Sequence, residues 1–149
     1  MMRTKCILQP RGDKVKVDIH RIIDVSIVDY PNHSTLLIEL GNDDSIEAET
    51  IFENKCLNIV DSITIAGEEP AMQPFGVIAI CEIAKKYNKK VKVNSNCCDA
   101  QFIWYLYRHK LIDCLEIVPT VKYYEEFIEN NIDEIKNLCN DLEIIEVRK

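Results

Sequence analysis

Ser62-Ile63-Thr64-Ile65-Ala66-Gly67-Glu68-Glu69-Pro70 reads as a buried strand followed by an abrupt stop. The run is short, apolar and rich in β-branched residues, the pattern of a strand covered on both faces. Gly67 and Pro70 break it, and Gln73-Pro74 leads into Phe75–Tyr87. There Val77, Ile80, Cys81, Ala84 and Tyr87 recur at the spacing of one helix face. Asn88 stops that helix, and Lys90–Ser95 (KVKVNS) predicts the next strand.

The alternation extends both ways. Upstream, Lys14–His20 places Val15, Val17 and Ile19 on one face of a strand, and Arg21–Asp29 continues as a second extended piece. Asp29-Tyr30-Pro31-Asn32 signals a turn. Ser34–Leu40 is a dense apolar run, read as a buried strand ending at Gly41. Asp43, Asp44 and Ser45 offer an N-cap, and Ile51, Phe52, Cys56, Ile59 and Val60 predict a helix from Ile46 to Val60. Downstream, Asp99 caps a helix to Lys110 with Phe102, Ile103 and Leu106 inward. Leu111–Val118 is a strand ended by Pro119. Val121–Asn140 is a helix with Tyr124, Ile128, Ile132, Ile135 and Leu138 on one face, and Leu142–Val147 is a last strand.

Strands alternating with helices imply an α/β fold of repeated βα units: a partial (β/α) barrel or a curved, mostly parallel sheet. The 149 residues fit one domain, 1–149. Ligands in such folds sit at the carboxyl ends of the strands. That directs attention to Gly41–Ser45, Gly67–Pro70, Asn94–Cys98 and Pro119–Thr120.

Composition narrows the function classes. The net charge is −7, which disfavours a broad nucleic-acid footprint. Lys85, Lys86, Lys89, Lys90 and Lys92 form a local basic stretch, read as a solvated helix end and strand entry. No apolar run approaches the roughly 18–20 residues that span a bilayer, and no signal peptide opens the sequence. A cytoplasmic protein with no membrane association is therefore expected. The seven cysteines are odd in number, irregularly spaced and free of any CxxC, so core thiols are expected rather than a disulfide framework.

The strand ends carry a resemblance. Asp29-Tyr30-Pro31, a buried strand and Gly41 resemble the D-Y-P-G … G-C opening of the radical-SAM activating enzymes, which install a glycyl radical in pyruvate formate-lyase or anaerobic ribonucleotide reductase. Ile63–Pro70 with Gln73-Pro74 resembles the family's strand ending in G-G-E-P. Val91–Asn96 is similar to its strand ending in T-N-G, and Leu111–Ile117 to its next strand. Order and spacing agree from residue 22 to 120.

The departures matter equally. In that family Gly41 would be followed by C-x3-C-x2-C, three thiolates that hold a [4Fe–4S] cluster and leave one iron open to S-adenosylmethionine. The matching positions here are Asn42, Ile46 and Glu49, none of them a thiol. Glu68 replaces the second glycine of G-G-E-P, Cys97 replaces the glycine of T-N-G, and Val118-Pro119-Thr120 stands where D-x-K is usual. The resemblance implies a cofactor site of Gly67, Glu68, Glu69, Ser95 and Asn96, with S-adenosylmethionine as the cofactor. The lost thiolates imply a non-catalytic binding or regulatory domain without a cluster, and no catalytic residue is assigned. The alternative is an activating enzyme that holds a cluster through unusual ligands. The family's chemistry hints at anaerobic metabolism.

Cys97-Cys98, at a strand end beside a helix N-terminus, could have lowered thiol pKa values. They could share a metal with Glu69 and His33. A purely structural account also serves: Gly67 and Pro70 turn the chain, Asn94–Asn96 forms an Asx turn, and His109 complements a helix C-terminus. Trp104, Tyr105 and Tyr107, and Tyr123, Tyr124 and Phe127, read as helix packing. One such surface, or the open sheet edge, could meet a protein partner or a second subunit. There is no G-x-S-x-G, P-loop or G-x-G-x-x-G.

Overall fold

The computed structural model describes residues 14–118 and 125–146. Six strands form one sheet in the order β1-β2-β3-β4-β5-β6. They are β1 (Lys16–Ser26), β2 (Thr35–Glu47), β3 (Ser62–Gly67), β4 (Lys90–Ser95), β5 (Cys114–Ile117) and β6 (Glu143–Glu146). β1 pairs antiparallel with β2, and every later pair is parallel. The helices are α1 (Ala48–Ile51), α2 (Pro74–Lys86), α3 (Ala100–Arg108) and α4 (Glu125–Leu138). The expected α/β fold with a mostly parallel sheet is thus present. Pro119–Thr120, Val121, Tyr123, Tyr124 and Val147 lie outside the described residues, as does Cys6.

Register sorts the sheet into two faces. Leu36, Ile38, Ile63, Ile65, Val91, Val93 and Leu115 are laddered across β2 to β5 and are fully buried in one apolar cluster. The helices cover that face with Val77, Ile80, Cys81 and Ala84 from α2 and Phe102, Ile103 and Leu106 from α3. Ile135 from α4 and Cys139 just beyond it join them. The alternate residues point the other way: Thr35, Leu37 and Glu39, then Thr64, then Lys92 and Asn94, then Cys114 and Glu116. That second face is largely polar. Its lower part is buried too, with Thr35 and Thr64 joined through their hydroxyls at 2.8 Å.

Three expectations are corrected. The strand does not stop at Gly41, and no long helix fills Ile46–Val60. Instead β2 runs on to Glu47 because Ile46 and Glu47 pair with Val17 and Lys16 of β1. Only the four-residue α1 and a short 3₁₀ turn at Lys55–Asn58 follow. A long-range ladder here outweighs local capping signals. Second, Leu138 is 46% exposed and Cys139 replaces it in the buried stripe, as the i, i+4 step from Ile135 requires. Third, the lysine stretch is not uniformly solvated. Lys92 is buried, Lys85 pairs with Asp113, and Lys89 Nζ donates to Val60 O at 2.8 Å.

Candidate functional site

The carboxyl ends of β3 and β4 meet through one side chain. Gly67 closes β3 at φ +87°, where a Cβ would stand 2.5 Å from Leu40 O. Only glycine fits both the angle and the approach. Glu68 N then donates to Leu40 O at 3.1 Å. Glu69 turns inward, and its carboxylate accepts from Ala71 N at 3.0 Å, Ser95 Oγ at 2.9 Å and Asn96 N at 2.8 Å. Ser95 Oγ accepts from Cys97 N, and Asn96 Oδ1 accepts from Cys98 N. Gly67, Glu69, Ser95 and Asn96 are thus brought together in a network whose bonds are internal to the chain.

Glu68 faces elsewhere. It lines an open cleft of about 310 Å³ with His20, Glu39, Leu40, Gly41, Asn42, Asp43 and Gly67. The cleft exists because Ile19 pairs with both Leu40 and Asp44, so Gly41, Asn42 and Asp43 bulge out of the ladder. Close passage of β1 fixes Gly41, since a Cβ there would stand 2.8 Å from His20 Cβ. His20 Nδ1 pairs with Asp43, and Arg21 Nε donates to Glu39 Oε1 at 2.5 Å. Glu68 has no ion-pair partner among the described residues.

The iron–sulfur cluster that the resemblance implies does not fit the residues at the matching positions. Asn42 lies in the bulge, Ile46 is laddered to Val17, and Glu49 in α1 pairs with Lys14 at 2.5 Å. The three positions are strung along a strand and a helix, and none offers sulfur. The thiols of Cys97 and Cys98 stand instead at the end of β4. They are not activated. Burial, then the Glu69 charge, pushes Cys97 up to about 12, and the same two causes in the same order raise Cys98. This reverses the lowering expected from a helix N-terminus: burial and the Glu69 charge outweigh it.

The set of Glu69, Cys97, Cys98 and His33 is likewise not assembled. His33 precedes β2, at the opposite end of the sheet, where its Nδ1 lies 3.0 Å from Asp61 Oδ2. Among the described residues no group of three or more His, Cys, Asp or Glu side chains is arranged to hold a metal ion. His109 ends α3 and packs against Tyr105.

Sequence reading missed His20, Glu39 and Asp43 in the cleft, and Lys92, Asn94 and Glu116 on the polar sheet face. Strand alternation already placed Lys92 and Asn94 on the face opposite Val91 and Val93, the one signal available for them.

The mostly parallel sheet, with a cleft and hydrogen-bonded loops at its strand ends, defines an α/β protein. No family model matches the chain. The chain is 30% identical over 156 aligned positions to the "Putative glycyl-radical enzyme activating enzyme MJ1227" of Methanocaldococcus jannaschii. The alignment covers 91% of this chain and 64% of that relative, so the chain spans less than two thirds of the relative's length. Among the described residues no helix is long and apolar enough to cross a membrane.

Proposed function

We propose that the chain is a radical-SAM-related binding domain that has lost the chemistry of the activating enzymes and kept a small-molecule site at the strand ends. The observation that carries this reading is the bulge of Gly41–Asp43 facing Gly67 and Glu68. The scaffold positions survive there, while the matching thiolate positions are Asn42, Ile46 and Glu49. Without three thiolates, a cluster iron has no seat from which to pass an electron.

The cleft suits a cation. Glu39, Asp43 and Glu68 line it against His20, and Arg21 already engages Glu39. Its volume is at the small end of the roughly 300–1,000 Å³ usual for ligand sites. S-adenosylmethionine, with a sulfonium and an ammonium, matches that charge and is the first ligand to test. The strand order without reversal supports the reading of the sheet as part of an open (β/α) barrel.

Isothermal titration of the protein with S-adenosylmethionine tests the reading. Saturable binding that weakens in Glu68→Gln and Asp43→Asn supports it, and no heat at millimolar ligand removes it. The name of the Methanocaldococcus relative favours a second reading, an activating enzyme with unusual cluster ligands. Anaerobic reconstitution with iron and sulfide separates the two. A stoichiometric cluster whose visible absorption bleaches on reduction and responds to S-adenosylmethionine would sink the non-catalytic reading.

A further inference from the structure

The sheet face turned away from the helices carries a second polar cluster, sharing no residue with the cleft. Lys92 of β4 is 1% exposed, and its Nζ lies 2.6 Å from Asn94 Oδ1 and 2.6 Å from Glu116 Oε1. Asn94 and Glu116 are register partners on β4 and β5, so their side chains leave the sheet side by side. The Glu116 side chain is 22% exposed, and Asn94 is half-buried. The cluster therefore has a buried cation at its floor and two polar tips that reach solvent.

Stability alone gives a weak account of this arrangement. A buried ion pair often contributes no more than well-packed apolar side chains of similar volume. Leu37 and Thr64 on the same face are buried without any charge. Hydrogen-bonding capacity is also left over. An ammonium has three donors, a carboxylate two oxygens and a primary amide two N–H groups. Among the described residues, Glu116 Oε2 and Asn94 Nδ2 make no hydrogen bond, and Lys92 Nζ meets only two acceptors.

Charge then selects the ligand. An anion drawn to Lys92 would face the Glu116 carboxylate, and a cation drawn to Glu116 would face the Lys92 ammonium. A dipolar ion leaves neither unpaired. Its carboxylate takes the free N–H groups of Asn94, above the buried positive charge of Lys92, and its ammonium donates to Glu116 Oε2. We propose that Lys92, Asn94 and Glu116 form a binding site for a free α-amino acid on the polar face of the sheet.

The experiment is calorimetric titration of the full chain with a panel of free L-amino acids. Acetate and ethylamine serve as half-ligands, and Lys92→Met and Glu116→Gln as variants. At least one amino acid should bind saturably, with neither half-ligand binding. Glu116→Gln, which keeps shape and loses charge, should weaken that binding at least tenfold while its circular dichroism spectrum stays unchanged. Absence of binding by every amino acid at millimolar concentration overturns the proposal. So does unchanged affinity in Glu116→Gln, which is decisive even where Lys92→Met does not fold. Asp43→Asn, in the cleft, should leave amino-acid binding intact, so failure of the cleft reading and failure of this one are read separately.

Discussion

Glu69 and Ser95 join the ends of two neighbouring strands: Ser95 Oγ donates to the Glu69 carboxylate, 2.9 Å from Oε2 and 3.1 Å from Oε1. Ser95 is buried, and its hydroxyl also accepts from Cys97 N at 2.9 Å. The bond thus couples the turn after β3 to the loop that begins α3. Asn131 Nδ2 of α4 extends the chain of contacts to Cys97 O at 2.9 Å. Glu69, at a position that resembles a cofactor-facing glutamate, here spends its carboxylate on hydrogen bonds within the chain.

Glu69→Ala should therefore destabilise the fold. It leaves the buried Ser95 hydroxyl, Asn96 N and Ala71 N without their acceptor, and an unsatisfied buried group costs about 1–3 kcal/mol. Glu69→Gln keeps one acceptor oxygen and should lose less. Urea unfolding measures both. An unchanged midpoint in Glu69→Ala would show that the network carries no weight.

Gly67→Ala should be costly for a different reason. The residue sits at φ +87°, and the added Cβ would meet backbone, Leu40 O at 2.5 Å and Leu40 N at 2.6 Å. Neither atom can move without disturbing the β2–β3 ladder, where Leu40 pairs with Gly67. The left-handed angle alone costs about 1 kcal/mol or more for a residue with a Cβ, and overpacking adds about 1–3 kcal/mol. Thermal unfolding of the variant should show a fall of several degrees, and a melting point within error of the parent would refute the close approach.

Strands whose two faces are covered were legible from composition alone. Ser62–Gly67 and Lys90–Ser95 fall where the apolar runs place them, since β-branched runs cut by Gly or Asn leave little choice. The helix from Ile46 was misread because Asp43-Asp44-Ser45 is a good local cap. What defeats it is the pairing of Lys16–Ile19 with Asp44–Glu47, a contact between segments far apart in sequence. The cleft was invisible for the same reason. His20 and Asp43 meet only because a bulge in that ladder pushes Gly41–Asp43 outward. Lys92 was missed for another reason: alternation sets it opposite Val91 and Val93, but sequence does not reveal that this second face is covered as well.

The thiols give the last prediction, and its sign follows from burial. Burial first, then the Glu69 charge, raises Cys97 from an ordinary 9.0 to about 12. The folded state therefore holds this proton at a pH where the unfolded chain has released it. The resulting stabilisation is fully present below about pH 9 and is lost as pH rises toward 12. Cys81 and Cys114 are raised to about 12 mainly by burial and act in the same direction. Urea midpoints should fall across that alkaline window, and Cys97→Ala should fall less steeply than the parent because one contributing proton is gone. Identical slopes in the two proteins would mean that the Cys97 thiol titrates as it does in the unfolded chain. Iodoacetamide offers a direct check. At neutral pH it should label Cys97 only after denaturant is added, because a protonated, buried thiol is a poor nucleophile.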